Sequence, residues 1–281
     1  MYGRRGRIAG LTLIEMTLVI GTIALLVGFA VPAVRALVHS FQSEGGTKSM
    51  IGSALSAARA MAVSRQRYVG LRFQKLCTSD DPTAPLEGLL DAPQYMIFIM
   101  YDETENMNDM AMGFRAVEGM EPLRLPSTMG VMDLDWLEAA QSDADIDEPY
   151  ELNDAVTFSL VFSPSGRLVV RDVRVRNRDG AFRPTALAES RDDVFNSAEN
   201  ICLNGRGMFL QDDYSRRNVR NPGNLEYGLG REGSRKGFVI YEASTLRAFY
   251  EKQTAWTGYL DGLRKRAIHV SPYSGDLIAS E

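Results

Sequence analysis

Two apolar patterns occupy the first quarter of the chain. From Met16 to Val34, 19 residues carry no charge (MTLVIGTIALLVGFAVPAV). As a helix this stretch rises ~28 Å, close to the hydrocarbon thickness of a bilayer. Further on, Met50, Ile51, Ala54, Leu55, Ala58, Met61 and Ala62 recur at three- and four-residue steps, which predicts an amphipathic helix. Arg59, Arg65 and Arg67 lie off that stripe or just past its end. Together the patterns predict one helix from Leu11 to about Ser64, on the order of 80 Å long. Pro32 kinks it and Gly45-Gly46 weakens it.

The period then changes from helical to two. Val69, Leu71 and Phe73 alternate on one face of a strand, and Tyr95 to Tyr101 is an apolar run fit for a strand buried on both sides. Ala155 to Phe162 and Arg167 to Val175 flank the turn Ser163–Gly166 as a hairpin, and Gly237 to Tyr241 is a further strand. The expected fold class is α+β: a long N-terminal transmembrane and amphipathic helix packed on an antiparallel β-sheet or β-sandwich. Regions 102–153 and 177–235, polar and poor in strand patterns, read as insertions or elaborated loops.

Composition narrows the chemistry. At 281 residues, 45% hydrophobic, the chain can bury a core in one or two domains. A net charge of −5 excludes a global field for nucleic acid, so such binding needs a local patch. Two cysteines and two histidines, His39 and His269, starve most metal and triad chemistry. No G-x-S-x-G elbow or other organised constellation is present, and no enzyme is expected.

The N-terminus carries the most specific signal. Arg4, Arg5 and Arg7 precede the apolar stretch with no acid among residues 1–10, which orients it N-in, C-out. Glu15 stands at its start, at a depth where a carboxylate costs roughly 2.5 kcal/mol or more. A secretory signal cut after Ala33, or a plain single-pass anchor, gains nothing from Glu15. A new α-amino group made by cutting before Leu11 would be its positive partner.

GLTLIEMTLVIGTIALLVGFAVPAV resembles the N-terminal signature of type IV prepilins and type II secretion pseudopilins. The resemblance implies cleavage by a prepilin peptidase between Gly10 and Leu11, followed by N-methylation of Leu11. It places Glu15 at the family's assembly glutamate and Pro32 at its helix-kinking proline; Leu11 departs from the usual Phe. SALSAARAMAVSRQRYVGLRF, with VTFSLVFSPSGRLVV later, is similar to GspH/FimT-type minor pseudopilins, with Phe162, Pro164 and Gly166 in the characteristic turn. The implied organisation is a leader at 1–10, a transmembrane and filament-core helix at 11–38, its amphipathic continuation at 39–66, and an extracytoplasmic β-rich domain at 67–281.

The implied function is a minor pseudopilin of a type II secretion system, assembled into or capping a periplasmic pseudopilus. The alternative is a minor pilin of a type IV pilus with a ligand- or DNA-binding head, and an outsider is an anchored extracytoplasmic binding protein. Expected partners are the prepilin peptidase, other pilins or pseudopilins, the inner-membrane assembly platform and membrane lipids. The expected location is the inner membrane, single-pass, with the C-terminal domain periplasmic.

Other constellations are candidates of lesser weight. Asp143, Asp145, Asp147 and Glu148 suggest calcium, but Glu148 stands where an EF-hand loop needs glycine and Asp154 where it needs a long bidentate glutamate. A solvated acidic loop is the simpler reading, and no cofactor is expected. Basic clusters occur at Arg171, Arg174, Arg176 and Arg178, at Arg216, Arg217 and Arg220, and at Arg264, Lys265 and Arg266. The last is a loose analogue of the DNA-contacting arginines of FimT-like pilins. Against nucleic acid, loss of the leader removes three arginines and no acid, leaving a more acidic chain. Cys77 and Cys202 are candidates for a disulfide outside the cytoplasm, a pairing that spacing leaves open.

Overall fold

The structure is a computed structural model. It describes residues 43–76, 78, 86–102, 113–173, 175–176, 209 and 232–279, together with 14, 16–23 and 25–26 near the N-terminus. The elements in chain order are α1 (Glu44–Arg65), β1 (Val69–Lys75), β2 (Gln94–Asp102), β3 (Gly113–Ala116), β4 (Leu123–Arg124), β5 (Met129–Asp133), α2 (Leu134–Ala139) and α3 (Pro149–Val156). There follow β6 (Phe158–Phe162), β7 (Leu168–Val169), β8 (Asp172–Val173), β9 (Val175–Arg176), β10 (Glu232–Gly233), β11 (Gly237–Glu242), α4 (Ala243–Tyr250), β12 (Ile268–Val270) and β13 (Leu277–Ala279), with short helical turns over 256–266.

The expectation of one long helix, crossing a membrane in its first half, is corrected here. Ser43 is extended (φ −85°, ψ 165°), and its hydroxyl accepts the Gly46 N–H at 3.3 Å, so α1 has a capped start at Glu44. Gly45 and Gly46 in the first turn make upstream propagation costly. Residues 16–23 and 25–26 are also helical, and their large apolar side chains are exposed. Among the described residues no helix is long and apolar enough to cross a membrane. The class that stands is α+β with antiparallel sheets.

The main sheet runs β7-β6-β1-β2-β3-β9, with β4 also on β2. Its pairs are antiparallel except β3 with β9. The second sheet runs β13-β12-β11-β5, and β10 pairs with β8 alone. The alternation in β1 places Val69, Leu71 and Phe73 in a core shared with Ile51, Leu55 and Ala58 of α1 and Phe238 and Ile240 of β11. Phe73 stacks on Phe158 at 4.8 Å between centroids, fixing β1 against β6 within that core. Strand β2 is apolar on both faces because it serves two cores: Met96 and Phe98 face α1, whereas Ile97, Ile99 and Tyr101 meet Phe114, Val161 and Val175.

A third core lies on the far face of the second sheet. There Met132, Val239 and Tyr241 are covered by Leu134 and Leu137 of α2, Leu152 and Val156 of α3, and Trp256 and Leu260. Much of the 102–153 region read as insertion therefore contributes strands and helices to buried layers. The 163–166 turn forms as expected, closed by Gly166 N–H to Ser163 O at 2.8 Å, with Gly166 at φ 77°. Only Leu168 and Val169 of its second arm pair with β6.

Candidate functional site

The amphipathic pattern of α1 fixes which residues it presents outward. With Ile51, Ala54, Leu55, Ala58 and Ala62 buried, Gly45, Ser49, Gly52 and Ser56 face an open groove of about 780 Å³ against Gly275, Asp276 and Leu277. Arg59 lies one turn beyond Ser56 on α1. Its Nε donates to Gly166 O at 2.8 Å and its Nη2 to Tyr273 O at 3.0 Å. One side chain thus ties the helix to both the hairpin tip and the C-terminal turn. Glycine is required at both contacts: Gly166 and Gly275 have φ of 77° and 79°. A Cβ on Gly166 would stand 2.9 Å from Val63 Cγ2, and one on Gly275 would stand 3.3 Å from Arg59 Cδ.

The C-terminal basic run has partners in the fold. Arg264 pairs with Asp261 and lies 5.2 Å from the Trp256 ring centroid, while Arg266 pairs with Glu44 in the first turn of α1. Lys265 is also engaged. Arg264, Lys265 and Arg266 are brought together as one short turn, but two of their charges anchor neighbouring elements. His269 is exposed on β12, opposite Ile278.

The acidic stretch is likewise used locally. Asp143 accepts the N–H groups of Trp256 (2.8 Å) and Thr257 (3.0 Å) and the Thr257 hydroxyl (2.8 Å). Desolvation pushes its carboxyl up, and these hydrogen bonds together outweigh that and hold it below the usual carboxylate range. Asp145 accepts the N–H groups of Gln141 and Ser142, both at 2.9 Å, and Glu148 begins α3 in a reciprocal box with Glu151. Among the described residues no group of three His, Cys, Asp or Glu stands together to hold a metal.

Several buried polar groups escaped the sequence reading. Gln94 accepts the Val131 N–H at 2.8 Å and donates to Val131 O (2.9 Å) and Val156 O (2.8 Å). Arg72, 1% exposed, donates to Gln74 and to the Ser159 hydroxyl. Lys75 donates to Leu89 O and Leu90 O, and burial pushes its ammonium down to about 8 against the pull of Asp91. Asp133 meets Arg235 at 2.5 Å and caps α2 through the Asp135 N–H. Burial raises its carboxyl to about 6, opposed by Arg235. A polar residue inside an alternating strand gives no signal that its far face is covered too.

Gly10, Leu11, Glu15, Pro32, His39, Cys77 and Cys202 lie outside the described residues, as do Arg178, Arg216, Arg217, Arg220 and the side chains of Arg174 and Arg176. No protein-family model, curated protein or solved structure matches the chain.

Proposed function

We propose that this chain is a minor pseudopilin of a type II secretion system, made as an inner-membrane precursor and cut between Gly10 and Leu11 before joining a periplasmic filament. The observation that carries the reading is Glu15, an acid set beside a glycine cleavage point at the start of 19 uncharged residues. Its cost in hydrocarbon is offset by a protonated α-amine at Leu11, on the same subunit or a neighbour. A secretory signal or simple anchor offers no such partner. In support, the large apolar side chains at Ile14, Met16, Leu18, Val19, Ile20, Ile23, Leu25 and Leu26 are 45–76% exposed and find no cover among the described residues. A lipid phase or neighbouring subunits would supply it.

The test is a crosslinked pull-down from host membranes with mass spectrometry of the N-terminal peptide and of the partners. A peptide beginning at Leu11, recovered with secretion pseudopilins, is the expected result. A peptide beginning upstream of Gly10 with no filament partners overturns the reading. Glu15→Val should insert normally yet stay out of filaments.

A further inference from the structure

The main sheet gathers arginines at one end. Val69 at the start of β1 stands opposite Phe162, the last residue of β6, and opposite Met100 near the end of β2. Leu168 of β7 also stands opposite Phe162. The C-terminus of α1 and the 163–166 turn therefore meet there and bring Arg65, Arg67, Arg167 and Arg171 with them. Gln66, between the first two, is left-handed (φ 52°, ψ 37°), a conformation that costs a residue other than glycine roughly 1 kcal/mol. Arg171 is the best oriented of the four: its guanidinium lies 4.2 Å from the ring centroids of both Tyr68 and Tyr101, which meet edge to face. The rings attract its charge but take none of the places that carboxylate oxygens would fill. Arg65, Arg67 and Arg167 are exposed, and Arg171 is half-buried. Among the described residues no carboxylate pairs with any of the four, whereas Arg235, Arg247, Arg264 and Arg266 each hold one. Asp172, next in sequence to Arg171, is exposed and does not pair with it.

We propose that this end of the sheet receives a short acidic segment of a partner protein, whose carboxylates pair with Arg65, Arg67, Arg167 and Arg171. Charge complementarity sets the sign of the occupant. The arginines set its chemistry, because a planar fork of N–H donors matches the two oxygens of a carboxylate or the oxygens of a phosphate. Three observations favour carboxylates on a peptide. Val63 and Val170, 43% and 59% exposed beside the arginines, offer apolar contact to the side chains between a peptide's acids. A nucleic acid is a long polyanion that would also lie over neighbouring surface of a chain with net charge −5, whereas a short segment meets the arginines alone. A bilayer is out of reach on the filament reading: the apolar stretch precedes Glu44, and the 22 residues of α1 carry Arg65 ~33 Å beyond it, several screening lengths of ~8 Å. The exclusion of lipid rests on that reading; the arginine patch does not.

The experiment uses the full chain in non-ionic detergent and a fluorescently labelled peptide of glutamate and alanine. Binding is read by anisotropy at about 0.1 M and about 1 M salt, between which the screening length falls from ~10 Å to ~3 Å. Three variants accompany it, each checked by circular dichroism. Arg65→Gln with Arg67→Gln and Arg167→Gln removes charge from the patch. Arg171→Lys keeps the charge and loses the fork. Lys48→Gln with Lys252→Gln removes charge elsewhere. The peptide should bind about tenfold or more weakly at high salt, and the triple arginine variant should lose about tenfold at low salt. Arg171→Lys should lose several-fold despite its unchanged charge, and the lysine variant should bind as wild type. Failure of the peptide to bind, wild-type affinity in either arginine variant, or an equal loss in the lysine variant overturns the proposal. So does tighter binding of duplex DNA or of phosphatidylglycerol vesicles than of the peptide through the same arginines. Peptide binding by a chain whose N-terminus begins upstream of Gly10 would keep the patch and sink the filament reading; a Leu11 N-terminus without peptide binding would do the reverse.

Discussion

Removing the Gln94 carboxamide should be among the most damaging single changes in the described fold. Strand β5 is the edge of the second sheet, and Val131 pairs with Ile240 of β11 on one side only. Gln94 extends from β2 of the main sheet with 4% exposure and takes the place of a missing strand, accepting from Val131 N–H and donating to Val131 O. Its second donor holds Val156 O where α3 meets the sheet. Gln94→Leu keeps the apolar volume and loses all three bonds. At roughly 1 kcal/mol net for each, and more for an orphaned buried N–H, the loss is about 3 to 5 kcal/mol. With a urea m-value of ~3 kcal/mol/M, the unfolding midpoint should fall by about 1 M or more, and the Val131 amide should exchange far faster. Gln94→Glu should do no better at neutral pH, because a carboxylate accepts from Val131 but repels both carbonyls. It should recover partly in acid, where the protonated group donates again. A midpoint shift below about 0.3 M with Val131 still protected would refute the bridging argument.

Other expectations follow from the same geometry. Gly166→Ala forces a Cβ into a φ of 77° and against Val63; a loss of about 1 to 3 kcal/mol should lower the melting temperature by roughly 2–12 °C, and an unchanged value would contradict the packing. Arg59→Ala releases Gly166 O and Tyr273 O together; at about 1 to 3 kcal/mol the Gly275 amide should lose protection before the core strands do. Asp133 is raised from 3.8 to about 6 by burial, which outweighs Arg235 because the acid is 1% exposed while the arginine side chain is 24% exposed and shared with Asp135. The folded state therefore binds this proton first. Its stabilising contribution, on the order of 3 kcal/mol, is fully present below about pH 4 and is lost as pH rises through about 6. Asp133→Asn should flatten that slope in a pH series of unfolding curves, and a slope of opposite sign in the parent would show that the ion pair wins.

The sequence made some elements legible and hid others for definable reasons. Strands β1, β2, β6 and β11 could be read because each carries five or more residues of pattern, enough for period two or a continuous apolar run to emerge. Strands β4, β12 and β13 have two or three residues, and their existence depends on partners elsewhere in the chain. The start of α1 is half visible: the glycine pair marks a weak point, whereas Ser43 becomes a cap only through its backbone conformation. Arg264 to Arg266 looked like a free cationic patch because Glu44 and Asp261 cannot be seen as their neighbours from spacing. The proposed processing signature, by contrast, is wholly local and needs no tertiary partner to be read.

The chain that departs after β9 comes back at β10, and β10 pairs with β8, with Glu232 opposite Val173 and Gly233 opposite Asp172. Exit and return are thus pinned almost side by side at one corner of the molecule. Whatever is changed between them, the sequence must still bring β10 back beside β8, and Phe209 back to a place where it is 1% exposed and meets Tyr95 edge-on at 5.5 Å.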